Sequence, residues 1–166
     1  MPGARAAQFG VLAADDIGGR DDRPLVFLHG LGFSRRLWSP AIRELESIDP
    51  GRRAISFDLP GHGGSPAVGG YSIKDLVAVL HEAVRAARIA PPVVVGHSFG
   101  GALATSYAAT HPTQGVVNVD QPLLAGRFAE RLRQLEPLLR GPDYGQVWRL
   151  WWPACTLSCC RAARRT

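Results

Sequence analysis

The chain has 166 residues, 46% of them hydrophobic and 20% charged, which fits one globular domain and leaves no apolar run long enough to span a bilayer. Its formal net charge is +5 at pH 7, and three of those charges come from Arg161, Arg164 and Arg165 near the end. The rest of the chain is only weakly positive, so we predict that neither nucleic acid nor a membrane is a partner.

The first residues lack the apolar segment of a secretory signal, so we expect a cytoplasmic protein. Residues 9–14, followed by an Asp- and Gly-rich stretch at 15–22, predict an antiparallel strand pair with its turns in that stretch. Pro24 then opens a continuous apolar strand at Leu25 to Leu28, and Ala54 to Phe57 is a second one. Such strands are typical of a parallel sheet that is covered on both faces.

Two helices are predicted among these strands. The first begins at Ser39 and ends before Pro50. Ser72 and Asp75 form a capping box that opens the second, whose apolar positions recur at helical spacing. Those positions, which we expect to be buried, are Ile73, Leu76, Val77, Leu80, Val84 and Ala87. The alternation of strand and helix predicts an α/β fold with a mostly parallel sheet and helices on both faces.

Val93 to Gly101 reads V-V-V-G-H-S-F-G-G and contains a G-x-S-x-G motif centred on Ser98. A strand precedes the motif and a helix of small residues follows it, which is the context that presents a serine at the apex of a sharp turn. Side chains at Gly96 and Gly100 would collide across such a turn. The N-terminus of the helix would stabilise the negative charge of an acyl-transfer intermediate, so Ser98 is the candidate nucleophile.

Two further motifs come before this one, each directly after an apolar strand. H-G-L-G occupies residues 29–32 and D-L-P-G-H-G-G-S occupies residues 58–65. With these three motifs in this order, the chain resembles the α/β-hydrolase fold family over about residues 8–150. The resemblance implies a sheet of the α/β-hydrolase type that lacks its last strands.

The resemblance also implies a division of the chain. Residues 1–122 correspond to the N-terminal part of the hydrolase core, which closes with a strand at Val116 to Asp120. Residues 123–152 lie where the family inserts a helical cap, and we predict two helices there, at 125–140 and 144–152. Residues 153–166 have no periodicity and are expected to be a disordered tail. This tail holds all three cysteines, Cys155, Cys159 and Cys160, whose spacing matches no known metal site.

In a hydrolase of this fold, two backbone N–H groups bind the oxyanion of the reaction intermediate. By position these belong to Phe99, which follows the nucleophile, and to Leu31 in the H-G-L-G loop. Gly30 and Gly32 allow this loop to approach a ligand closely. We therefore expect a small-molecule acyl substrate and predict neither a cofactor nor a metal ion.

A serine also needs a base, and in this fold the order along the chain is Ser, then Asp or Glu, then His. Asp120 is the candidate acid, although an aspartate that hydrogen-bonds the turn at Gln121-Pro122 explains it better. Asp58 is interpreted as a loop residue. Each histidine has a structural explanation, with His29 bracing the oxyanion loop, so the base is expected beyond residue 166. The five histidines are His29, His62, His81, His97 and His111.

The leading hypothesis is a serine hydrolase acting on an ester-like acyl bond, with this 166-residue chain inactive or nearly so. Cofactor-free haloperoxidases, carbon–carbon bond hydrolases and acyltransferases of the same fold stay open. Dehalogenases and epoxide hydrolases fit less well, because their nucleophile is an aspartate. A non-catalytic product, truncated or frame-shifted, is the alternative from a different class. Substrate and oligomeric state are left open.

Overall fold

The computed structural model describes residues 4–121, 126–142 and 144–146. The chain divides into two compact units, Met1–Gln121 and Pro122–Thr166. The first unit contains a six-stranded sheet. Its strands are β1 (Ala4–Phe9), β2 (Leu12–Ile17), β3 (Arg20–Leu28), β4 (Arg52–Phe57), β5 (Val93–His97) and β6 (Gly115–Val119).

The sheet has the strand order β1-β2-β4-β3-β5-β6. The pairs β3–β4, β3–β5 and β5–β6 are parallel, whereas β1–β2 and β2–β4 are antiparallel. This arrangement confirms the predicted α/β fold with a mostly parallel sheet. Within the described part of the chain β6 has a neighbour on one side only, and Val116, Val117 and Val119 are exposed.

The N-terminal strand pair exists, but its predicted bounds are wrong. The turn lies at Gly10 and Val11, inside the stretch that was predicted as one strand, and Gly10 has a φ of 58° there. Asp15 and Asp16, expected in turns, lie in β2 instead. The guanidinium groups of Arg35 and Arg53 pair with these two carboxylates and so make the strand conformation tolerable for them.

The first unit also contains a 3₁₀ turn at Arg35–Trp38 and the helices α1 (Ser39–Ile48), α2 (Ile73–Ala86) and α3 (Phe99–Ala108). The predicted capping box is present, since Ser72 Oγ accepts from the Asp75 N–H and Asp75 Oδ2 accepts from the Ser72 N–H, both at 3.2 Å. One predicted core position is wrong. Ile73 is 39% exposed, because it is the first residue of α2 and precedes the turns that contact the sheet.

Two hydrophobic clusters cover the two faces of the sheet. Side chains alternate between faces along a strand, and accordingly Val26 and Leu28 belong to one cluster while Phe27 belongs to the other. The first cluster also contains apolar residues of α2 and α3, and the second contains Ile42 of α1. Helices therefore cover both faces, as predicted. The carboxyl ends of β4, β3 and β5 then lie side by side, which brings together the three loops that carry the motifs.

The second unit contains α4 (Gly126–Arg140), which confirms the helix predicted at 125–140. Of the helix predicted at 144–152, residues 144–146 are described and are helical. The predicted tail at 153–166 lies outside the described residues, so the cap and tail assignments stay predictions. Among the helices of the described ranges, none is long and apolar enough to cross a membrane.

Candidate active site

Ser98 occupies the sharp turn between β5 and α3. The sharp turn that was predicted there has a φ of 50° and a ψ of −121° at Ser98, a backbone conformation that costs a non-glycine residue on the order of 1–3 kcal/mol. The turn is anchored at both ends. The Ser98 N–H donates to the Val119 carbonyl of β6 at 2.8 Å, and the Ser98 carbonyl accepts from the N–H groups of Gly101 and Ala102 at the start of α3. The strain is thus held in place by hydrogen bonds.

Both motif glycines are required by close packing. A Cβ on Gly96 would overlap the carbonyl oxygen of Gly100, well under the 3.0 Å that real Cβ atoms keep. This is the predicted collision across the turn. For Gly100 the obstacle is different, because its Cβ would overlap the carbonyl oxygen of Leu28 at the end of β3. Gly100 therefore allows α3 to approach the neighbouring strand rather than relieving the turn itself.

The H-G-L-G loop lies directly beside the turn. A Cβ on Gly30 would lie 3.1 Å from the Cβ of Ser98, so no side chain separates the two segments. Gly32 has a φ of 77°, and the Phe33 N–H donates to the Gly30 carbonyl at 3.2 Å, which closes the loop. Among the described residues, neither Leu31 nor Phe99 donates its backbone N–H to another loop or a side chain. Both groups are thus free to bind a ligand.

Two histidines join this loop to the D-L-P-G-H-G-G-S loop in a reciprocal way. His29 Nε2 accepts from the Leu59 N–H at 2.9 Å, and its Nδ1 lies 2.8 Å from the Gly30 carbonyl oxygen. His62 Nε2 accepts from the Gly32 N–H at 3.3 Å, and its Nδ1 lies 3.0 Å from the Pro60 carbonyl oxygen. A carbonyl only accepts, so both rings are neutral and carry their proton on Nδ1. His29 therefore braces the H-G-L-G loop, as predicted.

The comparison with known families agrees with this geometry. A family model described as "alpha/beta hydrolase fold" matches residues 23–149, which is most of the chain. The chain belongs to the alpha/beta hydrolase fold family.

Individual known proteins are also similar to this chain. The chain is 34% identical over 148 residues to 2-succinyl-6-hydroxy-2,4-cyclohexadiene-1-carboxylate synthase of Salmonella paratyphi B, covering 77% of this chain and 55% of the relative. It is 33% identical over 118 residues to lipase LipV of Mycobacterium tuberculosis, a match that covers 70% of this chain and 44% of the lipase. A carboxylesterase structure from Nitrososphaera gargenis matches with a TM-score of 0.65 at 22% identity, and the match covers 84% of this chain and 54% of the carboxylesterase. The chain thus spans about half the length of these relatives.

Asp58 lies in the loop that follows β4, as predicted, and its side chain is fully buried. Its carboxylate accepts from the Arg35 N–H at 2.7 Å and the Gly64 N–H at 2.8 Å, and it also pairs with the Arg35 guanidinium. Burial alone would raise the pKa of Asp58, but these hydrogen bonds and the charge of Arg35 hold it below its usual value. The Arg35 partner was not predicted, because no local pattern links residues 23 positions apart.

Two further histidines lie at the far end of α3 from Ser98. His81 Nδ1 is 3.2 Å from the Tyr107 hydroxyl, and the His81 and His111 rings are 3.9 Å apart between centroids. A ten-residue helix is about 15 Å long, so neither ring is within reach of Ser98. The contact between these two histidines could not be predicted from the sequence, because His81 lies on α2 and His111 follows α3, and only the packing of the two helices brings them together.

The last histidine, His97, is buried beside the edge of the Phe33 ring. Burial lowers the pKa of His97, and the negative charge of Asp120 opposes that effect. Asp120 itself follows β6 with a φ of 58° and is exposed. The turn partner predicted for it, Pro122, lies outside the described residues. The residues that the structure describes contain no group of three or more His, Cys, Asp or Glu able to hold a metal ion.

The buried His29 should make the stability of this hydrolase core depend on pH. Burial, with the His62 ring acting in the same direction, lowers the pKa of His29 from 6.5 to about 4. In the unfolded chain His29 takes up a proton as the pH falls below 6.5, whereas in the folded chain it stays neutral until about pH 4. The difference in pKa therefore costs nothing above pH 6.5, and it lowers the free energy of unfolding by about 3 kcal/mol at pH 4.

The measurement is urea unfolding of the chain between pH 7 and pH 4, with His29→Gln as the comparison. Glutamine can accept from the Leu59 N–H but does not titrate. The loss of unfolding free energy over this range should be about 3 kcal/mol smaller in the variant. Equal losses in the two proteins would show that His29 titrates alike in the folded and unfolded chain.

Proposed function

We propose that this chain carries the nucleophile and the oxyanion hole of a serine hydrolase that acts on an ester-like acyl bond. Ser98 is the nucleophile, and the N–H groups of Leu31 and Phe99 bind the oxyanion. The observation that supports this most strongly is the strained turn at Ser98 with the Gly30 backbone against it. A strained residue held in place by its surroundings is typical of a functional site.

The chemistry follows from these positions. The Ser98 Oγ attacks the acyl carbonyl carbon, and the carbonyl oxygen becomes an oxyanion that accepts hydrogen bonds from the two free N–H groups. Collapse of this intermediate expels the alcohol and leaves the acyl group on Ser98, from which water releases the acid. The N-terminus of α3 adds a favourable dipole to the oxyanion. No cofactor or metal ion enters these steps.

The proton of Ser98 must go to a base, and none of the five histidines is assigned that role. Without such a base the proton passes to solvent water, and attack by Ser98 is slow. His29 and His62 hold loops through both ring nitrogens, and His81 and His111 lie at the far end of α3. The ring of His97 is buried and is nearly perpendicular to the Phe33 ring, 5.9 Å away between centroids. Asp120 is kept as the candidate acid, at the carboxyl end of β6 and with its charge acting on the His97 ring.

The relatives of the chain include both a lipase and a synthase, so we propose the acyl group that reacts and no particular leaving group. Acyl transfer without hydrolysis, as in an acyltransferase, uses the same nucleophile and oxyanion hole. The expected substrate is a small molecule. A cytoplasmic location without nucleic-acid or membrane partners stays a prediction.

The experiment that tests this proposal is the rate at which a fluorophosphonate labels the folded chain. General bases contribute about 10²–10⁴-fold, so labelling should be slower by about that factor than for a serine hydrolase with its full triad. The variant His81→Gln/His111→Gln should label at the unchanged slow rate. Rapid labelling that this variant abolishes would place the base in the His81–His111 pair and contradict the assignment.

A further inference from the structure

The peptides around Leu31 have little to hold them except hydrogen bonds. The Leu31 side chain is 39% exposed, so packing fixes it poorly. Glycines flank it on both sides, and a glycine backbone has more accessible conformations than any other. A proposed oxyanion donor at this position needs some other constraint, because a misplacement of about 1 Å can cost on the order of 100-fold in rate.

Two successive peptide groups receive that constraint from the two histidines. The Gly30 carbonyl and the Leu31 N–H belong to one planar trans peptide and point in opposite directions. His29 Nδ1–H donates to that carbonyl at 2.8 Å, and thereby sets the direction of the Leu31 N–H. The next peptide presents the Gly32 N–H, which donates to His62 Nε2 at 3.3 Å.

The His62 ring is itself held by its own loop. Its Nδ1–H donates to the Pro60 carbonyl at 3.0 Å, and the His29 ring lies 5.1 Å away between centroids. The D-L-P-G-H-G-G-S loop is in turn fixed by the buried Asp58, through the Gly64 N–H and the Arg35 N–H. A continuous set of contacts therefore runs from a buried anion to the peptide that follows Leu31.

We propose that His62 is a positioning residue for the oxyanion hole, and that its Nε2 acceptor holds the Leu31–Gly32 peptide in the orientation that presents the Leu31 N–H beside Ser98. This inference rests on the proposed function. His62 does not touch the substrate and acts only through Gly32. Its role differs from that of His29, which is fully buried and whose loss would also damage the core.

The matched variants are His62→Gln and His62→Leu. The amide oxygen of glutamine can replace Nε2 as an acceptor, whereas leucine fills space without accepting. Labelling of Ser98 by a fluorophosphonate should fall by about 10-fold to 100-fold in the leucine variant and stay within about 3-fold of the unmodified chain in the glutamine variant. Urea unfolding identifies conditions in which all the proteins are folded, so that rates refer to native molecules.

Hydrogen exchange of the Gly32 amide gives a second readout that does not depend on labelling. In the unmodified chain this amide should be protected, and it should exchange more slowly than in His62→Leu. If the leucine variant labels as fast as the unmodified chain while Ser98→Ala does not label, or if the Gly32 amide is unprotected, the positioning role is overturned. If no protein labels at Ser98, the proposed function fails, and Gly32 protection then still decides whether His62 holds the loop.

Discussion

Replacing Gly96 with alanine is expected to prevent the chain from folding. The added Cβ would overlap the carbonyl oxygen of Gly100, and neither group can move away. Gly96 is fixed by the pairing of β5 with β3 and β6, and Gly100 by its close approach to the Leu28 carbonyl. A clash between two fixed backbone segments should cost more than about 4 kcal/mol, a large part of the roughly 5–15 kcal/mol that stabilise a domain.

Gly69→Ala is the matched control for this substitution. A Cβ on Gly69 would meet no atom within 4 Å, so the same chemical change is made without a clash. We expect the control to unfold in urea within about 1 kcal/mol of the unmodified chain, with an alanine in a loop even slightly stabilising. Circular dichroism and urea unfolding compare the three proteins. A cooperative transition of Gly96→Ala at the urea concentration of the unmodified chain would mean that the turn does not have the geometry described.

Ser98→Ala is expected to abolish covalent labelling by a fluorophosphonate while leaving the fold intact. The reagent bonds to the serine oxygen, and removing that atom removes the reaction. Slow turnover of p-nitrophenyl acetate should behave differently. In a site without its base, the residual catalysis, on the order of a thousandfold over water, comes from the oxyanion hole and binding. We therefore expect the small turnover of the chain to change little in Ser98→Ala.

This contrast between labelling and turnover separates the nucleophile from the oxyanion hole. Loss of labelling with retained turnover is the expected pair of results, measured on protein that unfolds in urea like the unmodified chain. Labelling of Ser98→Ala at the original rate would exclude Ser98 as the nucleophile. A large loss of turnover in the variant would mean that a base already assists Ser98 in this chain.

The sequence predicted those parts of the fold that local signals determine. The capping box at Ser72 and Asp75, the apolar strand at Leu25 to Leu28 and the turn at Ser98 all follow from short patterns, and the structure confirms each of them. The turn at Ser98 could be predicted because glycines stand two residues before and two residues after the serine, between a strand and a helix. The prediction of one strand at residues 9–14 was wrong, because the bounds of β1 and β2 depend on how the two strands pair with each other rather than on local composition.

The parts that could not be predicted depend on contacts between distant residues. Asp15 and Asp16 suggest turns until Arg35 and Arg53 are known to lie beside them. The acceptor role of His62 toward Gly32 likewise links positions 30 residues apart, and only the side-by-side arrangement of β3 and β4 brings them together. Local patterns in the sequence therefore indicated the candidate site residues. The distant residues that orient them could be identified only from the folded structure.

The identity of the residue that forms the covalent bond tests the assignment of Ser98 most directly. Mass spectrometry of proteolytic fragments after fluorophosphonate treatment of the folded chain locates the adduct. We predict a single adduct on the fragment that contains Ser98, assigned to Ser98 itself and absent from protein unfolded in urea before treatment. An adduct on any other residue, or equal labelling of folded and unfolded chain, would contradict the claim that this turn presents a nucleophile.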